Sequence, residues 1–189
     1  MSLQRSSRRR ASAGIGQSMF NRPMKKGRGT AGLVIGGTGM LAEATRWISR
    51  QYAPTLVIAR QATKFAQGEW RFVPLDLDWG EPDFMERISR AMETLPPIGK
   101  ALIWLHEPEL FLDRLLELVP PRQMVLVLGS RNGRPDLRTG VDGPAIVRLG
   151  SKPTPHGRRW LTHEEISAGA IRALQDGQST IVGELKLAP

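Results

Sequence analysis

The chain has 189 residues, enough for one domain but too few for a nucleotide-binding domain joined to a full substrate domain. It has no cysteine, which excludes disulfides, thiolate catalysis and cysteine-based metal sites and fits a reducing cytoplasm without requiring one. The net charge of +9 suggests nucleic acid only until it is located, because eight basic groups and no acid fall within residues 1–30, leaving 19 basic against 18 acidic groups elsewhere.

Residues 1–30 are rich in Ser, Arg, Gly and Ala and lack apolar periodicity, so they read as a disordered basic tail ahead of a folded domain at 31–189. Three readings of the tail stay open. It fits an upstream extension of a chain that itself starts at Met24, an Arg- and Ser-rich targeting segment, or a nonspecific polyanion-binding arm. The plain extension or arm asks least of the composition. No apolar stretch of adequate length for an export signal follows Arg8-Arg9-Arg10, and no segment reaches membrane-spanning length.

From residue 31 the pattern alternates between strand and helix. Leu33 to Ile35 is the first expected strand and Met40 to Tyr52 its helix, with Leu41, Ala44, Thr45 and Ile48 on one face. Thr55 to Ala59 is the second strand, followed by a short helical piece near Gln61 to Gln67, and Arg71 to Leu75 is the third. Gly80 to Leu95 reads as a helix carrying Pro82 in its first turn. Ala101 to Leu105 is the fourth strand, and Glu109 to Val119 is a leucine-rich helix stopped by Pro120-Pro121. Met124 to Leu128, apolar throughout, is a strand covered on both faces, and Ala145 to Leu149 is a sixth. Thr162-His163-Glu164-Glu165 is a capping box opening the last helix, and Thr180 to Leu185 is the last strand. The series predicts an α/β fold: a Rossmann-like doubly wound parallel sheet in a single domain, with strand order 3-2-1-4-5.

Between the first strand and its helix lies Gly36-Gly37-Thr38-Gly39-Met40-Leu41-Ala42. A strand, a glycine-dense turn and a helix in that order build a pyrophosphate pocket, because the helix end offers free amides and glycines admit the phosphates. The spacing Gly36-x-x-Gly39-x-x-Ala42 is a compressed relative of the dinucleotide fingerprint. Ala59-Arg60 ends the second strand, with Lys64 beyond and no acid before Glu69. An acid there would bind the ribose 2′-hydroxyl of NAD, whereas Arg60 suits the 2′-phosphate of NADP. The expected cofactor is therefore NADP, with NAD second.

These residues, with Asp76-Leu77 after the third strand, resemble the short-chain dehydrogenase/reductase family over most of residues 31 to 150. The resemblance implies that Gly36 to Leu41 hold the cofactor and that Asp76 and Leu77 contact its adenine. It also implies a serine at the end of the fifth strand, where Ser130 stands, and a Tyr-x-x-x-Lys pair on the helix that follows. The chain departs here: Tyr52 is the only tyrosine, and it precedes the second strand.

Chemistry then falls to other groups. A reductase needs positioning and a proton source, and His106, ending the fourth strand, is the candidate donor beside Ser130. Arg131 and Asn132 are candidate substrate ligands or turn residues, and Lys152 and His156 lie in a Pro-rich segment that either covers the site or simply connects strands. His163 reads as a first-turn helix residue, and no spacing suggests a metal. The five tryptophans are scattered, which fits core and edge packing better than base stacking. The expected function is a small atypical NADP(H)-dependent reductase, or else a silent dinucleotide-binding sensor or scaffold. A small-molecule substrate is the expected partner, with self-assembly as an option and neither membrane nor nucleic acid engaging the folded body.

Overall fold

A computed structural model describes residues 29–105, 110–129 and 143–185. The basic tail through residue 28, His106 and Ser130 to Asn132 lie outside the described residues. Strands β1 (Ala31–Ile35), β2 (Thr55–Ala59), β3 (Phe72–Asp76), β4 (Ile98–Trp104), β5 (Met124–Leu128) and β6 (Ala145–Leu149) alternate with helices α1 (Ala42–Gln51), α2 (Ala62–Ala66), α3 (Phe84–Glu93) and α4 (Leu112–Leu118). After β6 come a hairpin of β7 (Ser151–Thr154) and β8 (Gly157–Trp160), the helix α5 (His163–Asp176) and the strand β9 (Thr180–Val182). Seven strands form one sheet in the order β3-β2-β1-β4-β5-β6-β9, with every pairing parallel. The expected order 3-2-1-4-5 is the observed one.

The inner strands β1, β2, β4, β5 and β6 are largely apolar on both faces because both faces are covered, whereas the edge strands β3 and β9 are partly exposed. Alternation along each strand sends neighbouring side chains to opposite sides. Leu33 and Ile35 of β1, and Met124 and Leu126 of β5, join a core beneath α3 and α4 with Phe84, Ile88 and Leu115. Val34, Val125 and Val127 point the other way, into a core under α1 and α5 with Ile48, Ile166 and Ala170. A smaller cluster of Val57, Ala62, Ala66 and Phe72 seats α2. Each fully buried Leu or Ile contributes on the order of 2 kcal/mol relative to an exposed one, so the sheet is held from both sides.

Three expectations are corrected. α3 starts at Phe84 rather than Gly80, and Pro82 lies in the preceding turn. Asp78 explains the delay: its carboxylate accepts the Gly80 amide at 3.1 Å, while its own amide donates to Glu81 Oε1 at 3.0 Å. Such local bonds compete with helix formation. The last strand ends at Val182, because Gly183 turns into the left-handed region (φ +78) and Glu184 then pairs antiparallel with Ser151. The Pro-rich segment is the β7–β8 hairpin, turning at Pro155-His156. Two tryptophans also depart from core packing, since Trp70 is 79% and Trp160 53% exposed. No helix among the described residues is long and apolar enough to cross a membrane.

Candidate functional site

A cleft of about 1030 Å³ opens at the carboxyl ends of β1, β2 and β4. This is where the strand order reverses, since successive crossovers leave β1 in opposite directions along the sheet. Its floor is the β1–α1 turn. Gly36 takes φ +73, and a Cβ there would collide with the Trp104 carbonyl oxygen of β4. Gly37 is buried, and a Cβ there would collide with Val34 and Thr45. Both glycines are required by the chain's own packing. Gly39 differs: it is exposed on the cleft, and nothing lies within 4 Å of where its Cβ would stand.

Two hydroxyls brace the turn from behind. The buried Thr45 hydroxyl shares its one proton between the carbonyl oxygens of Gly37 (2.8 Å) and Leu41 (3.0 Å). Ser167 of α5 donates to the Met40 carbonyl at 3.0 Å. The turn's own backbone bonds run from the Gly36 amide to the Ile58 carbonyl and from the Ala42 amide to the Gly39 carbonyl, both at 2.9 Å. Among the described residues, none uses an amide between them. α1 has Leu41 at its N-cap and no side-chain cap. Bonded carbonyls and uncommitted amides within one turn make a floor suited to an anion.

The walls extend from this floor. Arg60 and Gln61 stand at the end of β2, Leu77, Trp79 and Phe84 line the β3 side, and Trp104 and Leu105 end β4. His163, the first residue of α5, closes the far end. Among the described lining residues there is one arginine, one histidine and no carboxylate.

No protein-family model and no curated protein matches the sequence. Solved structures do match. A short-chain dehydrogenase/reductase described as a glucose/ribitol dehydrogenase, from Brucella melitensis, is similar at a TM-score of 0.56 and 14% identity, over 84% of this chain and 97% of that one. A short-chain dehydrogenase/reductase from Serratia marcescens gives 0.51 and 12%, over 82% and 97%, and a doubly substituted one from the same organism gives 0.52 and 12% over the same shares. The fold is that of the short-chain dehydrogenases/reductases.

Within this short-chain dehydrogenase fold, Gly36, Thr38, Gly39, Met40, Arg60 and Leu77 all lie on the cleft, together as the sequence suggested. Leu41 is buried in the core and could meet a ligand only through its amide. Asp76 is not on the cleft wall; its carboxylate accepts the Thr63 amide at 2.8 Å and so ties β3 to α2. That amide, helped by the Thr63 hydroxyl, holds the Asp76 carboxyl below its ordinary value. The only tyrosine, Tyr52, caps the end of α1 beside Gly99, near the start of β4 and away from the cleft. Thr45 was legible only as a member of an apolar helix face, and Ser167 was not singled out at all. A threonine at a buried helical position, four residues after the turn it holds, is the one sequence signal that could have singled out Thr45.

Lys152 does not reach the cleft as a cover. Glu165 accepts bonds from Lys152 (2.6 Å) and Arg159 (2.7 Å), pinning the hairpin to the first turn of α5, while His156 is exposed in the hairpin turn. Glu165 also completes the expected capping box with Thr162. Hydrogen bonds from Arg159, then Lys152, then the Thr162 amide hold the Glu165 carboxyl well below its ordinary value of 4.5. Its stabilising contribution is therefore complete above that value and is lost as pH falls below it. Protection factors of amides in the hairpin and first turn of α5 should drop on acidification below pH 4.5 and should already be low at neutral pH in Glu165→Gln. Unchanged protection in that variant would remove Glu165 as the clamp.

Proposed function

We propose that this protein binds NADP(H) in the cleft and acts as a small atypical reductase. The observation that carries the reading is a cleft floored by uncommitted amides, with Arg60 at the end of β2 and no carboxylate on its described wall. A pyrophosphate fits the floor, and the 2′-phosphate of NADP fits Arg60. With NADPH bound, the nicotinamide would supply hydride, and this chain would contribute binding, orientation and a proton donor. His106 is proposed as the donor and Ser130 as the group that orients the substrate.

Titration with NADPH and NADH, followed by tryptophan fluorescence and melting temperature, tests the reading. NADPH should bind more tightly than NADH, and Arg60→Ala should weaken NADPH about tenfold while changing NADH less than about twofold. Binding of neither nucleotide would end the proposal, and tighter NADH binding would end the role of Arg60. A second reading, a dinucleotide-binding sensor or scaffold without turnover, is favoured by the position of Tyr52 away from the cleft. NADPH consumption with carbonyl, quinone or flavin acceptors, lost in His106→Ala or Ser130→Ala, would support the reductase. Tight binding with no consumption across such a screen would support the sensor.

A further inference from the structure

His163 has no part in the reading so far, yet it lines the same cleft as Gly36, Thr38, Gly39 and Met40. Among the described residues its imidazole makes no hydrogen bond, and its electrostatic neighbour is the Glu164 carboxylate beside it on α5. The end of α5 is not itself an open anion site, because Thr162 Oγ1 accepts the Glu165 amide at 3.2 Å and Glu165 Oε2 accepts the Thr162 amide at 2.9 Å. What α5 offers the cleft is the imidazole.

Its place along the cleft follows from Ser167. That residue lies four positions further along α5 and donates to the Met40 carbonyl at 3.0 Å, anchoring α5 to the glycine turn. Residues four apart share a helix face and are separated by about 6 Å along the axis. His163 therefore stands one helical turn beyond the anchor, on the cleft side of Met40. Arg60 is at the opposite end, because β2 lies on one side of β1, and β4 to β6, against which α5 packs, lie on the other. The order across the cleft is Arg60, glycine turn, His163.

A dinucleotide with its adenosine at Arg60 lays its first phosphate on the turn and its second toward α5. We propose that His163 binds the second phosphate, donating an imidazole N–H to its oxygen. The inference rests on the dinucleotide reading above and deepens it: Arg60 recognises the adenosine half, and His163 recognises that the other half is present. An adenosine fragment that ends at the first phosphate does not reach it.

Calorimetric titration of the full chain with NADPH and with adenosine 2′,5′-bisphosphate separates the two ideas. In wild type both should bind. His163→Ala should weaken NADPH about tenfold, as expected for loss of one charge-assisted bond to phosphate, and change the bisphosphate less than about twofold. His163→Gln, which keeps an N–H donor, should recover part of the loss. The exposed position of His163 and the intact capping box predict an unchanged melting temperature for both variants. If His163→Ala binds NADPH as wild type does, or loses both ligands equally, the second-phosphate role is overturned while the dinucleotide reading stands. If wild type binds neither ligand, the dinucleotide reading itself falls.

Discussion

Gly39→Val is expected to fold with an unchanged melting temperature and to lose about 100-fold in NADPH affinity, or ~2.8 kcal/mol. Its backbone is outside the left-handed region, and no atom lies within 4 Å of where a Cβ would stand, so the free protein has room for the side chain. That same space is where a pyrophosphate would approach the amides of the turn. A branched side chain there blocks the approach without disturbing the core. Paired thermal melts and NADPH titrations measure the two effects separately. A folded variant that binds NADPH normally would show that the turn holds no phosphate. A variant that unfolds would contradict the open environment of Gly39.

The opposite result is expected three residues earlier. Gly36→Ala should lower stability by ~3 kcal/mol and the melting temperature by ~10 °C, whether or not nucleotide is present. Alanine at φ +73 is strained by ~1–2 kcal/mol, and its Cβ would meet the Trp104 carbonyl oxygen, a backbone atom of the neighbouring strand. Relief requires β1 and β4 to separate at the centre of the sheet, where their register is continuous from Gly32 to Ile35. Chemical denaturation of the apoprotein is the direct measurement. Wild-type stability in Gly36→Ala would show that the left-handed conformation at this position is dispensable. The two glycines thus separate into one that the fold needs and one whose Cβ position is open to the cleft.

Much of this was legible in the sequence because it is local. The apolar run Leu33 to Ile35, a glycine turn and a spaced apolar stripe set β1, the turn and α1, and the alternation of such units implies the parallel sheet and its order. The capping box of Thr162 and Glu165 could be read in the same way, since its partners are three residues apart. The β7–β8 hairpin could not. Pro153 sits inside β7 and β8 is exposed along its whole length, so neither strand carries an alternating apolar pattern.

For this protein, sequence alone determined the strand order, the glycine turn and the basic residue at the end of β2, because each depends on neighbours along the chain. Tertiary structure decided which glycine opens onto the cleft, which hydroxyls brace the turn and that His163 shares a cleft with Gly39. Those are contacts between distant segments: Ser167 and Met40 are 127 residues apart, and only the packing of α5 beside α1 brings them together. Asp76 shows the same limit from the other side, since its carboxylate, expected at the adenine, also accepts the Thr63 amide through a bond that forms only once α2 folds back onto β3.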